Sequence, residues 1–165
     1  MTDANISEEF RNSLFDETKF GKKLNLGCGV DYLQGWTNID RNKMYLADHY
    51  MNLDNPGIYF PFREKTFDLI YAAHILEHIF HLKELKMELA RVLKPGGMIY
   101  VISPDYLSPD AWGDDTHVRA FSLQSFILEF WPGFVASEVR KFVGMNEGLK
   151  QEVTWLCGIL TRGRD

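Results

Sequence analysis

Apolar positions along this chain repeat with two periods. Short, largely apolar runs occur at Lys23-Leu24-Asn25-Leu26-Gly27, Phe67-Asp68-Leu69-Ile70-Tyr71-Ala72-Ala73 and Met98-Ile99-Tyr100-Val101-Ile102-Ser103, and read as strands buried in a parallel sheet. Trp36-Thr37-Asn38-Ile39-Asp40 reads as a further strand. Between Tyr45 and Leu53 there is room for a short third one, before the turn Asp54-Asn55-Pro56-Gly57. Helical spacing takes over after Leu76. Leu82, Leu85, Leu89, Val92 and Leu93 share one face, while Lys83, Glu84, Lys86, Glu88 and Arg91 share the other. Pro95-Gly96-Gly97 is expected to end that helix. Ser122 is placed to cap a second helix carrying Leu123, Phe126, Ile127 and Phe130, stopped by Pro132-Gly133. Ile6, Phe10 and Leu14 predict an amphipathic helix within residues 1–20, capped by Ser7 or Asn5. Val135–Phe142 and Val153–Leu160 read as two last strands forming a hairpin around Gly144–Gly148.

Alternation of strands and helices predicts an α/β fold with a mostly parallel sheet. One connection is unusual. A parallel crossover with its own helix needs at least about 10–12 residues, and the link from Gly27 to Trp36 is too short for more than one helical turn. The N-terminal helix is expected to cover that face instead. Residues 104–121 form a polar loop with two prolines and four aspartates, longer than a bare connection requires. Loops of that length are often functional.

The chain's 165 residues suit one domain. A hydrophobic fraction of 45% and a charged fraction of 25% are ordinary for a globular protein. A net charge of -5 argues against a protein held on nucleic acid by a broad basic surface. Cys28 and Cys157 form neither a disulfide framework nor a metal-ligand spacing. With no membrane-length apolar stretch and no leader-like N-terminus, the expected location is the cytoplasm.

The candidate chemistry begins at Gly27-Cys28-Gly29, a turn at the carboxyl end of the first strand, where nucleotides bind in doubly wound folds. A dinucleotide fingerprint would require a third glycine at position 32, which is Tyr32. That excludes close pyrophosphate binding of the usual kind. Asp40 ends the second strand, where a carboxylate accepts hydrogen bonds from ribose hydroxyls; beside the glycine turn, this reading outweighs that of a solvated aspartate.

His74-Ile75-Leu76-Glu77-His78 also satisfies the inverted zinc-peptidase pattern, with His81 nearby. Such a site needs both outer histidines on one helical face, whereas His74 directly follows a buried strand. No metal ligands are therefore assigned, and His81 is read as a helix-start residue.

Leu24-Asn25-Leu26-Gly27-Cys28-Gly29, Asn38-Ile39-Asp40, Phe60–Ile70, His74-Ile75-Leu76-Glu77-His78 and Arg91-Val92-Leu93-Lys94-Pro95-Gly96-Gly97, in this order, resemble the class I S-adenosylmethionine-dependent methyltransferases, in particular small members of the type 11 kind. The resemblance is close over residues 22–103. It implies a Rossmann-like doubly wound sheet, mostly parallel with a C-terminal antiparallel hairpin, in a single domain over 1–165. Within it, 1–20 would be the N-terminal helix, 22–103 the cofactor-binding core and 104–165 the acceptor side.

The implied cofactor is S-adenosyl-L-methionine. Leu26, Gly27, Cys28 and Gly29 would line its methionine and ribose portion, and Asp40 would bind the ribose. Asn52 and Leu53 would meet the adenine, with Asp48 or Asp54 as alternatives, and Ala73 and His74 would lie beside the transferred methyl. His74, His117 and Asp105 are candidate general bases. The expected reaction is direct displacement at the sulfonium methyl by an oxygen or nitrogen of a small molecule or sugar. Alternatives are a non-catalytic cofactor-binding or partner subunit and, less favoured, a zinc hydrolase using His74, Glu77 and His78. Oligomeric state and acceptor identity are not encoded in any motif.

Overall fold

The computed structural model describes residues 17–128, 133–146 and 151–163. The expected N-terminal helix falls on residues outside that set, apart from a 3-10 turn at Glu17–Lys19, as does the stop at Pro132. Strands β1 (Lys23–Leu26), β2 (Thr37–Asp40), β3 (His49–Tyr50), β4 (Phe67–Ala73), β5 (Leu93–Pro104), β6 (Phe134–Asn146) and β7 (Gln151–Arg162) form one sheet in the order β3-β2-β1-β4-β5-β7-β6. The first five are parallel, and β7 runs antiparallel to both β5 and β6. Strand order reverses between β1 and β4, the position where open α/β sheets bind ligands.

Period-two alternation sorts the central strands into two cores. Leu24, Leu26, Ile70, Ala72, Ile99 and Val101 pack on one face with Leu82, Leu85, Leu89 and Val92 of helix α1 (Leu82–Val92). Leu69, Tyr71, Tyr100 and Ile102 point to the other face, among Trp36, Trp155 and Cys157. Leu85, Leu89 and Val92 are wholly buried, each contributing about 1.5–3 kcal/mol through burial. Two shorter helices follow, α2 (Asp110–Gly113) within the long loop and α3 (Leu123–Leu128). The Ser122 hydroxyl accepts from the backbone N–H of Ser125, as expected for a cap at the start of α3.

Helix α1 does not end as its sequence suggests. It stops at Val92, and β5 pairing starts at Leu93, opposite Phe67, before resuming at Met98, opposite Leu69. Pro95-Gly96-Gly97 therefore bulges from the ladder instead of capping the helix. Gly97 is required there, since a Cβ would stand 2.9 Å from the Lys94 carbonyl oxygen. The helix end is satisfied by distant partners. The Arg91 and Val92 carbonyls accept from the Lys65 and Thr66 N–H groups, at 2.9 and 2.7 Å. The Arg162 guanidinium, from β7, donates to the Ala90 and Leu93 carbonyls.

The hairpin also differs from expectation. Its ladder runs through Gly144 to Asn146, paired with Gln151, so the strand continues past Gly144, where the turn was expected to start; residues 147 and 148 of that turn lie outside the described residues. No helix among the described residues is long and apolar enough to cross a membrane.

Because Arg162 closes the end of α1, Arg162→Ala is expected to cost about 1.5–3 kcal/mol in urea denaturation. Arg162→Lys should recover part of that loss.

Candidate functional site

Three strand ends and one missing helix shape the site. After β1 the backbone turns at Gly27 (φ +60) and Gly29 (φ +50), conformations that glycine adopts without a Cβ penalty. Gly27 is also closely covered, because a Cβ there would lie 2.7 Å from Ile75 Cδ1. Asp40, at the end of β2, braces the turn. Its Oδ2 accepts from the Gly29 N–H and its Oδ1 from the Asn42 N–H, both at 2.7 Å. Asp40 is 7% exposed, and each carboxylate oxygen keeps acceptor capacity beyond these bonds.

The link from β1 to β2 contains turns only, as its length requires. Two buried asparagines hold it. Asn25 Nδ2 donates to the Asp31 carbonyl at 2.9 Å and to Asn38 Oδ1 at 3.0 Å. Asn38 Oδ1 also accepts from the Leu33 N–H, while its Nδ2 donates to the Leu33 and Trp36 carbonyls. Side-chain amides thus satisfy backbone groups that a helix would have paired internally.

These elements bound an open cavity of about 630 Å³, measured with its solvent-filled mouth. Its wall comprises Gly27, Asp40 and Arg41, the segment Met51–Asp54 after β3, His74, Ile75, His78 and Ile79 after β4, and Thr116 from the long loop. His74 has a left-handed backbone (φ +50), and its N–H continues the ladder to the Ile102 carbonyl at 2.9 Å. It therefore sits on a strand-end turn, two residues before the 3-10 helix Leu76–His78 begins. Its Nδ1 lies 3.5 Å from Glu77 Oε1.

The cavity thus brings together Gly27, Asp40, Asn52, Leu53 and His74, five of the residues singled out by sequence. Leu26, Cys28, Gly29 and Ala73 are not in its wall. Leu26 is packed in the core, Gly29 supports Asp40, and Ala73 belongs to the opposite cluster. The Cys28 thiol donates to the Leu46 carbonyl at 3.4 Å, and burial with the negative charges of Asp40 and Asp48 pushes its pKa up to about 11.

Of the alternatives near adenine, Asp54 lines the cavity and Asp48 does not. Burial raises the Asp48 pKa, but hydrogen bonds from Asn38 and Tyr32 outweigh it and hold the carboxyl below its usual range. Asp105 is buried, with Oδ2 ion-paired to Lys141 Nζ at 2.7 Å and Oδ1 accepting from the Leu107 N–H. This is a structural position, away from the cavity wall. His117 lies behind the wall, its ring 4.7 Å from that of His78. Sequence reasoning missed Arg41, Met51, Ile75, Ile79 and Thr116. Only the adjacency of Arg41 to Asp40 and of Ile75 to His74 offered a signal.

Residues 28–101 match the family model described as a methyltransferase domain. This chain is 33% identical over 73 residues to the sterol 24-C-methyltransferase of Schizosaccharomyces pombe, covering 42% of this chain and 18% of that protein. It is 32% identical over 130 residues to an uncharacterised protein of Methanocaldococcus jannaschii, covering 70% and 56% respectively. The chain therefore spans well under two thirds of either curated relative. The crystal structure of an S-adenosylmethionine-dependent methyltransferase from Mesorhizobium loti superposes with a TM-score of 0.69 at 15% identity, covering 93% of this chain and 96% of the other. That likeness shows the shared Rossmann-like methyltransferase fold.

The resemblance of residues 28–101 to that methyltransferase domain implies S-adenosyl-L-methionine as cofactor. The cavity suits that group, with a carboxylate retaining acceptor sites in its wall and a glycine where any side chain would crowd Ile75.

Gly27→Ala should cost about 1–2 kcal/mol, from the left-handed backbone, with the new methyl crowding Ile75; thermal unfolding reads the loss. A thiol reagent at neutral pH should leave native Cys28 unmodified and label it after unfolding in urea. An unfolded thiol ionises near pH 8.5 and Cys28 near 11, so the folded state keeps a proton that the unfolded state loses. Its contribution to stability is full below about pH 8.5 and declines toward pH 11. The stability difference between wild type and Cys28→Ser should narrow across that window in urea titrations.

Proposed function

We propose that this chain, acting as one domain, binds S-adenosyl-L-methionine in the cavity at the strand-order reversal and transfers its methyl group to an oxygen or nitrogen of a small molecule or sugar. The observation that carries the reading is Asp40. It stands in the wall of the open cavity at the carboxyl edge of the sheet, held by two backbone donors, with acceptor capacity remaining on both oxygens.

The cofactor supplies an electrophilic methyl on a sulfonium sulfur. The chain supplies position. Asp40 accepts from the ribose hydroxyls, and Gly27 lets the backbone come close beside Ile75. Asn52, Leu53 and Asp54 form the adenine wall. Asn52 Oδ1 is taken by the Asp54 N–H and Asp54 Oδ1 by the His81 N–H, so this wall is fixed before the ligand arrives. Alignment of two reactants in such a site contributes roughly 7–11 kcal/mol to the barrier reduction.

His74 is the base candidate that the cavity reaches directly. A positioned base adds about 10²–10⁴-fold where the acceptor must lose a proton. Asp105, spent on Lys141, is withdrawn as a base.

Calorimetry with S-adenosylhomocysteine should show one site per chain. Asp40→Ala should weaken it at least about tenfold, the equivalent of losing one charge-assisted hydrogen bond. Absence of binding to folded wild-type protein would overturn the proposal, as would undiminished binding by Asp40→Ala.

A further inference from the structure

The His-x-x-Glu-His segment and the long loop meet outside the cavity's ribose and adenine walls. One potential ligand atom each from Glu77, His78 and His117 lies within 4.8 Å of the others. The three come from different places: a 3-10 turn after β4 and a loop about forty residues later. The loop is tied down where they meet, with the Val118 N–H donating to the Glu77 carbonyl at 2.9 Å.

Two features of this cluster point to a bound cation. First, the Glu77 side chain is only 2% exposed, and its Oε1 has no hydrogen-bond partner. Ser103 Oγ donates to the other oxygen at 3.3 Å. His74 Nδ1, 3.5 Å from Oε1, is too far for a good hydrogen bond. A buried, under-coordinated carboxylate oxygen is costly unless something cationic meets it.

Second, both imidazoles are oriented by acceptors on the same ring nitrogen. His117 Nδ1 lies 3.2 Å from the Ala111 carbonyl, which can only accept, so Nδ1 carries the proton. Thr116 Oγ1 donates to Asp114 Oδ1 at 2.6 Å, so its contact with His78 Nδ1 at 2.9 Å has histidine as donor. In each ring the proton on Nδ1 leaves the Nε2 lone pair for a Lewis acid; Asp114 Oδ2 stands 3.9 Å from His117 Nε2, beyond hydrogen-bond reach. Outer acceptors that fix a tautomer in this way are what metal-binding histidines characteristically have.

We infer that Glu77, His78 and His117 form a site for one first-row divalent cation at the rim of the cofactor cavity. Two imidazoles and a carboxylate select Zn²⁺, Co²⁺ or Mn²⁺ over Mg²⁺, which prefers oxygen ligands and retains its waters. Bonds of about 2.0–2.2 Å require the three donors to draw in from their present separation of up to 4.8 Å. His78 and Thr116 also line the cavity. The cation's remaining positions are therefore available to an oxygen of a molecule entering beside the cofactor. That last role rests on the methyl-transfer reading; cation binding does not.

The test uses full-length protein stripped with chelator and titrated with Co²⁺, then Zn²⁺. One equivalent of Co²⁺ should bind with visible d–d absorption, and Zn²⁺ should displace it while millimolar Mg²⁺ does not. His117→Ala and Glu77→Gln, each checked for folding by circular dichroism, should weaken binding at least tenfold. His49→Gln, far from the cluster in sequence and packed edge-on against Phe62, should not. Should Glu77→Gln fail to fold, His117→Ala and Thr116→Val, which removes the acceptor on His78, decide the matter. No Co²⁺ absorption in folded wild type, or binding unchanged in the folded cluster variants, overturns the inference. S-adenosylhomocysteine calorimetry on the same samples reads the cofactor proposal separately.

Discussion

The glycine turn after β1 has to be held still without a helix behind it. Asn38 meets that constraint. Its buried amide accepts from Asn25 and the Leu33 N–H and donates to the Leu33 and Trp36 carbonyls, and its own N–H donates to Asp48. Each of these groups would cost about 1–3 kcal/mol if buried unpaired. The link therefore has one low-energy path, and that path sets where Gly27, Gly29 and Asp40 stand. Where a parallel crossover usually brings its own helix, a buried amide pair here replaces a helical ladder.

The opposite wall is fixed by different means. Residues 105–121 bridge Asp105 to Phe121, and the Asp105 ion pair with Lys141 fastens this loop to β6. Val118 and Arg119 attach it to the Glu77 and Phe80 carbonyls. The loop thus carries Thr116 into the cavity wall and His117 against His78. Asp105 anchors the loop, which removes it from the chemistry and explains why a polar residue after β5 is buried.

Much of the architecture was legible beforehand. β4 matches the apolar run Phe67–Ala73, because a strand buried on both faces leaves an uninterrupted signal. The short link, the brief third strand and the hairpin also followed from spacing and turn residues. The end of α1 did not. Lys65, Thr66 and Arg162 satisfy its last carbonyls, and none of them is near it in sequence. With those partners present, the Pro95-Gly96-Gly97 signal was spent on a bulge. Within the site, Gly27, Asp40 and His74 were legible because strand ends next to a reversal point face the ligand. Leu26, Cys28 and Ala73 looked equivalent in sequence, yet successive residues on a strand or tight turn point to different sides.

By itself the sequence determined the α/β class, the strand runs, the absence of a dinucleotide fingerprint and the acidic residue at the end of β2. These rest on periodicity and on local backbone needs, which neighbouring residues settle. Only the tertiary structure decided that Asp105 is neutralised by Lys141, that Asp48 is spent on Asn38 while Asp54 faces the cavity, and that His117 joins Glu77 and His78. In each case a side chain's chemistry depends on a partner brought to it by folding from elsewhere in the chain. Spacing along the chain does not encode such meetings.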